Sequence, residues 1–98
     1  MNIGQKAEEN RLTLSVEGRL NTQTAPELET VINESAVTAH ELILDLSGLE
    51  YISSAGLRVI LCAHKLMAGK GGLELHGMRP AIREIFDMTG FSEILTID

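Results

Sequence analysis

Cysteine is almost absent from this chain, and the lone thiol, Cys62, excludes both an internal disulfide and a cysteine metal cluster. Tryptophan is missing, and Tyr51, Phe86 and Phe91 are the whole aromatic set, so any core must be aliphatic. There is no basic run: eight Lys and Arg stand against 14 Asp and Glu, for a formal net charge of -6. Nucleic-acid binding needs a Lys/Arg footprint that displaces counterions from phosphates, so nucleic acid is excluded as the partner. The acidic bulk favours solubility and partners with a basic or neutral face. No stretch reaches the roughly 18 apolar residues of a membrane span, and Met1 to Lys6 hold no apolar leader core. The expectation is a cytoplasmic protein with no direct membrane insertion. No repeat or low-complexity tract interrupts it.

What is present suits one domain spanning residues 1–98, long enough to bury roughly 60–70% of the surface its unfolded form exposes. Leu12, Leu14 and Val16 alternate with Thr13, Ser15 and Glu17, which predicts a strand with one wet face ending at Gly18. Ile3, Gln5 and Ala7 alternate more weakly, and the Glu8-Glu9-Asn10 break folds them back as an antiparallel edge hairpin. Thr24-Ala25-Pro26-Glu27 reads as a helix start, with Thr24 as cap, Glu27 closing a capping box and Pro26 in the first turn. Leu28, Val31, Ile32 and Ser35 then give one helical stripe.

Leu42-Ile43-Leu44-Asp45-Leu46 is a near-continuous apolar run, the pattern of a strand covered on both faces. The most apolar helix is predicted from Ser54 to Ala68, with Leu57, Ile60, Leu61 and His64 on one face, Val59, Ala63 and Leu66 beside them, and Gly69 as C-cap. Leu73 to His76 predicts a short strand, Pro80 opens another helix that Gly90 ends, and Glu93 to Ile97 predicts a last strand. The expected fold is α/β, in the order β-β-α-β-α-β-α-β. Its sheet is mixed, mostly parallel, with four to five strands and three main helices. In such a sheet the loops leaving the C-terminal strand ends gather at one edge, where these folds place their sites. Those loops are Arg19 to Gln23, Ser47 to Ser53 and Gly77 to Arg79.

The richest loop puts two hydroxyls, Ser53 and Ser54, directly before a helix. A hydroxyl there can simply cap, by accepting a backbone hydrogen bond. The same place suits phosphorylation, because unpaired amides and roughly half a positive charge at the helix end hold an added dianion without unfolding anything. Gly56 offers a small side for close approach of a partner or a kinase.

Leu44-Asp45-Leu46-Ser47 followed by Ile52-Ser53-Ser54-Ala55-Gly56-Leu57-Arg58-Val59-Ile60-Leu61 resembles the signature of the STAS domain, the family of bacterial anti-sigma factor antagonists. Gly18-Arg19-Leu20-Asn21-Thr22-Gln23-Thr24-Ala25 resembles the family's earlier motif, and length, spacing and element order fit along the whole chain. The resemblance implies a binding module rather than an enzyme. In that family, as the resemblance implies, the unphosphorylated domain binds an anti-sigma factor, often also a serine kinase, and so frees a sigma factor. Phosphorylation of a serine, matching Ser54 here with Ser53 as the alternative acceptor, ends binding, and a PPM-type serine phosphatase restores it. The implied docking set is Asn21, Thr22, Ser53, Ser54, Gly56, Leu57 and Arg58. The chain departs from the family where Ser53 and Asn21 stand in place of Asp, and Ala55 in place of Ser or Thr. Two carboxylates near the site are therefore missing, which lowers repulsion against a phosphate. A second reading from the same family is a constitutive subunit of a lipid-transport assembly of ABC type, without phosphoregulation.

Other motifs carry less. Gly69-Lys70-Gly71-Gly72 follows a helix and opens a strand, the reverse of a phosphate loop, and reads as a turn. His40, His64 and His76 fall on three elements without ligand spacing, so no metal and no cofactor is expected. Cys62 is expected to be a buried small hydrophobe. Ile52-Ser53-Ser54-Ala55-Gly56 lacks the first glycine of a hydrolase elbow. Asp45 lies within its strand with no acidic pair ending an earlier one, which argues against a phospho-receiver.

Overall fold

The β1 strand, Asn2–Glu8, folds back on β2, Arg11–Leu20, in antiparallel register from Asn2↔Glu17 to Glu8↔Arg11, as the two alternations require. A computed structural model describes residues 1–98. The hairpin turn places Glu9 at φ 52, in the left-handed region that a non-glycine residue enters rarely.

The β2 strand does not stop at Gly18. That residue sits at φ 101, and the register slips between Gly18 and Arg19, so a bulge bends the strand and carries it on to Leu20. The first half of β2 pairs in parallel with β3, Glu41–Asp45, and the second half pairs in parallel with β4, Leu49–Ile52. Residues 49–52 were expected to be loop. They give no period of two, because Leu49 and Ile52 are buried while Glu50 and Tyr51 are both exposed. The sheet therefore has six strands rather than four to five, in the path β1-β2-β3-β5-β6, with β4 alongside the end of β2. Here β5 is Leu73–His76 and β6 is Thr96–Ile97. The last strand is shorter than the expected Glu93–Ile97 because Phe91–Glu93 winds into a 3-10 turn after Gly90 ends the preceding helix.

Three helices, α1 (Ala25–Thr38), α2 (Ser54–Met67) and α3 (Pro80–Met88), cover one face of this sheet. Leu14 and Val16 of β2, Leu42 and Leu44 of β3, and Leu73 and Leu75 of β5 point into that layer. There they meet Leu28 and Ile32 of α1, Ile60 and Ala63 of α2, and Ile82 and Phe86 of α3. The second face has no helix layer, which corrects the expectation drawn from the apolar run in β3. Ile43 is buried yet lies outside the main cluster, in register between Thr13 and Glu74, and is shielded by neighbouring side chains of an open, polar face.

Two details of α2 also differ from expectation. Its buried stripe is Gly56, Leu57, Val59, Ile60, Ala63 and Met67, which leaves Leu66 and Cys62 exposed. Cys62 lies two positions past Ile60, about 200° round the helix, so the phase that buries one exposes the other. The helix ends through Ala68 in helical conformation, and the chain reverses at Gly72, not Gly69. Gly69 to Gly72 is a turn, and Lys70 in it donates to the Ala36 carbonyl near the end of α1.

The 3-10 turn is tied to α3 through Asp87, whose carboxylate accepts from the Ser92 hydroxyl and from Arg83 Nε at 3.1 Å. The Ser92 bond first, then the Arg83 bond, hold the Asp87 carboxyl below its ordinary value. A depressed acid contributes stability above its unfolded pKa, about 3.9, and loses it as pH falls through the lower folded value. Asp87→Asn is therefore expected to lower the melting temperature at pH 7, and the difference from wild type should close in acid below pH about 3.9. A pH series of melts checks this, and because the site is exposed the effect should be small and weakened by salt.

Candidate functional site

The parallel strands β2 and β4 end together. Leu20 pairs with Ile52, and the next amide, Ser53 N, donates to Leu20 O at 2.9 Å, so the chain leaving β2 and the chain leaving β4 start from the same edge. This one register places the Asn21 loop beside the first turn of α2.

Asn21 organises its loop. Its Oδ1 accepts from Gln23 N at 2.9 Å and Thr24 N at 3.0 Å, and its carbonyl accepts from Ala25 N at 2.8 Å. Thr24 Oγ1 turns back, donating to Arg19 O at 2.8 Å and accepting from Asn21 N at 2.9 Å. The expected Thr24–Glu27 capping box does not form, and Thr24 already has helical angles without a side-chain cap bond. An amide oxygen three residues upstream does the capping instead. Asn21 is half-buried and Thr22 is exposed.

The two adjacent hydroxyls divide their roles. Ser53 is the N-cap of α2, extended at φ -99 and ψ 175, and its Oγ accepts from Gly56 N at 3.4 Å. Ser54 is the first helical residue and is exposed, and its hydroxyl has no part in the cap. Gly56 faces inward rather than toward a partner. A Cβ there would stand 2.7 Å from Leu20 Cγ and 2.9 Å from Ile52 Cγ1, so the missing side chain is what lets α2 settle onto the ends of β2 and β4. Leu57 is buried as well. Of the seven expected docking residues, the structure thus leaves Asn21, Thr22, Ser53, Ser54 and Arg58 with some surface and places Gly56 and Leu57 in the interior.

One pair at this edge had no forewarning in the sequence. The bulge at Gly18 brings the Arg19 guanidinium over the Tyr51 ring, 4.2 Å from its centroid, with both side chains exposed. Such a pair is worth about 0.5–1 kcal/mol at the surface. It depends on β4, whose register no periodicity announced. The third loop, Gly77 to Arg79, serves mainly as a brace. Arg79 Nε donates to Ser47 O at 3.0 Å, and Ser47 N donates to Asp45 Oδ1 at 3.0 Å, stiffening the jog between β3 and β4. At the other end of the sheet, Glu8 to Arg11, His40 and Glu41 line a polar cavity of about 390 Å3. No group of three or more His, Cys, Asp or Glu side chains is placed to hold a metal ion. No helix is long and apolar enough to cross a membrane.

A fold with three helices on one face of a mixed sheet, and a serine-led helix start beside an Asn loop, defines a class of protein. The STAS domain model matches residues 3–98, and the chain belongs to the STAS domain family. It is 36% identical over 88 residues to BtrV of Bordetella bronchiseptica, which is named as a candidate anti-sigma factor antagonist. That match covers 88% of this chain and 76% of the relative. Its fold is similar to that of an anti-sigma factor antagonist from Mycobacterium paratuberculosis, with a TM-score of 0.90 at 24% identity over 98% of this chain and 83% of that one. It is also similar to the Bacillus cell fate determinant SpoIIAA, solved in its phosphorylated form. There the TM-score is 0.77 at 14% identity, covering 99% of this chain and 91% of that one.

Two substitutions separate the hydroxyls. Ser53→Ala should cost about 0.5–1 kcal/mol, the value of a long N-cap bond, while Ser54→Ala should be close to neutral. Urea denaturation of the two variants checks this. Gly56→Ala should cost about 1–3 kcal/mol despite alanine's better helix propensity, because the new methyl must displace Leu20 and Ile52.

Proposed function

We propose that this chain is an anti-sigma factor antagonist whose docking edge is opened and closed by phosphorylation of Ser54. In the unphosphorylated form the edge made by Asn21, Thr22, Ser53, Ser54 and Arg58 binds an anti-sigma factor and thereby releases a sigma factor. The anti-sigma factor doubles as a serine kinase, and a PPM-type serine phosphatase reverses the mark. The protein acts by binding, not by catalysis.

The observation that carries this reading is the division of labour at the start of α2, where Ser53 makes the cap and the neighbouring Ser54 hydroxyl is exposed. In the kinase reaction Ser54 Oγ attacks the γ-phosphorus of ATP. The new O–P bond forms as the bond to ADP breaks, and the hydroxyl proton passes to a base of the kinase. The product carries a charge of about −2 beside unpaired amides at the positive end of a helix dipole, so the fold tolerates it. A partner that must desolvate this edge does not tolerate it. A 100-fold loss of affinity needs only about 2.7 kcal/mol, which one buried, unpaired charge supplies. The relatives' names, and the phosphorylated form in which SpoIIAA was solved, support the same assignment.

Ser54→Asp is expected to fold like wild type yet bind the anti-sigma factor about 100-fold more weakly, measured by calorimetry with the purified partner. Ser54→Ala should bind normally and accept no phosphate from the kinase. Wild-type affinity in Ser54→Asp, or phosphate recovered on Ser53 instead, would overturn the assignment.

A further inference from the structure

Six of the eight Lys and Arg side chains have partners. Lys6 lies 4.0 Å from Glu8, Arg11 lies 3.1 Å from Glu41, Arg83 pairs with Asp87, Arg19 covers Tyr51, and Lys70 and Arg79 donate to backbone carbonyls. The two left without an ion pair or hydrogen bond, Arg58 and Lys65, are both on α2, a helix with no carboxylate between Ser54 and Met67. In a chain of net charge -6, unpaired cations on an acid-free helix are a local inversion of sign.

Arg58 lies four residues after Ser54, and both are exposed. Positions four apart on a helix are neighbours, with about 5–6 Å between Cβ atoms, and the anion-first order is the favourable one. Residues 19–24 and 53–58, the two segments that form this edge, contain no Asp or Glu to compete for the guanidinium or to repel an anion. Lys65, about 16 Å from Ser54 along the helix axis, is out of reach.

We propose that Arg58 is the residue that takes the phosphate of phosphorylated Ser54, folding back along α2 to pair with it and so becoming unavailable to a partner at the moment the docking edge becomes charged. This rests on Ser54 being the modified residue. Phosphorylation then acts twice, adding a dianion and withdrawing the one unpartnered guanidinium of the surface. The forked, planar donor set of Arg suits two phosphate oxygens at once, which a lysine in its place would not match.

The test uses the full chain with phosphoserine installed at position 54 during synthesis, so it needs neither kinase nor partner. Phosphorus NMR follows the second ionisation of the phosphate as pH is varied. In the otherwise wild-type protein that ionisation should fall below its ordinary value near 6. Arg58→Gln should raise it by about half a unit, roughly a threefold change in proton affinity, and Arg58→Lys should recover only part of the difference. Lys65→Gln, which removes the same net charge at a distance, should leave the curve in place. The Arg58 effect should also shrink as salt rises toward about 1 M. Superimposable curves for wild type and Arg58→Gln, or an equal shift from Lys65→Gln, would overturn the pairing while leaving the Ser54 switch standing. A chain that never carries phosphate in its own cells would sink the switch and leave the NMR result intact.

Discussion

The site depends on one backbone contact, the bond from Ser53 N to Leu20 O that extends the Leu20↔Ile52 pairing by a residue. It makes the end of β2 and the end of β4 a single edge. The layout of that edge follows from what each strand does next, one turning into the Asn21 loop and the other into α2. Gly56 completes the constraint, since α2 can lie against Leu20 and Ile52 only where it has no side chain to interpose. A strand register and an absent methyl thus set the position of the Ser54 hydroxyl.

The division between Ser53 and Ser54 leaves the helix start capped and one hydroxyl outside the cap. A residue that both capped the helix and accepted a modification would have to surrender its capping bond each time, and the helix start would loosen. Here the capping hydroxyl of Ser53 and the exposed Ser54 are different residues, so under the proposed switch the surface would change charge while the core, from Leu14 to Phe86, keeps its packing. Asn21 plays the matching part across the edge. Its side-chain oxygen is spent on the loop's own amides, so the loop is held by neutral hydrogen bonds and brings no negative charge to the site.

Arrangement of charge follows the same logic. Six of the eight Lys and Arg side chains are held by partners, two of them on the outer sheet face, and the open face is polar enough to stay wet without a covering layer. Only α2 keeps unpaired positive charge, on the element that begins with Ser54. An acidic protein can in this way present a local surface of the opposite sign, which its composition alone argues against.

Much of this was legible in the chain, and the reasons for success and failure are physical. Period-two alternation in Leu12 to Val16 and the helical stripes of α1, α2 and α3 identify those elements because burial on one side forces the pattern. The Ser-Ser-Ala-Gly-Leu start of α2 marks the edge because helix ends need local chemistry. The sequence by itself therefore determined the order of every element except β4 and the 3-10 turn, the parallel core and the identity of the two hydroxyls. Tertiary structure alone decided the rest. The β4 strand has no period of its own and exists because β2 overhangs β3. The cap of α1 moved to Asn21 because Thr24 found Arg19 O. Cys62 turned outward because the helix took its phase from Gly56 and Ile60. Only the fold decides which cation is unpartnered, because Arg11, Lys70 and Arg79 each find a partner brought in from a distant part of the chain.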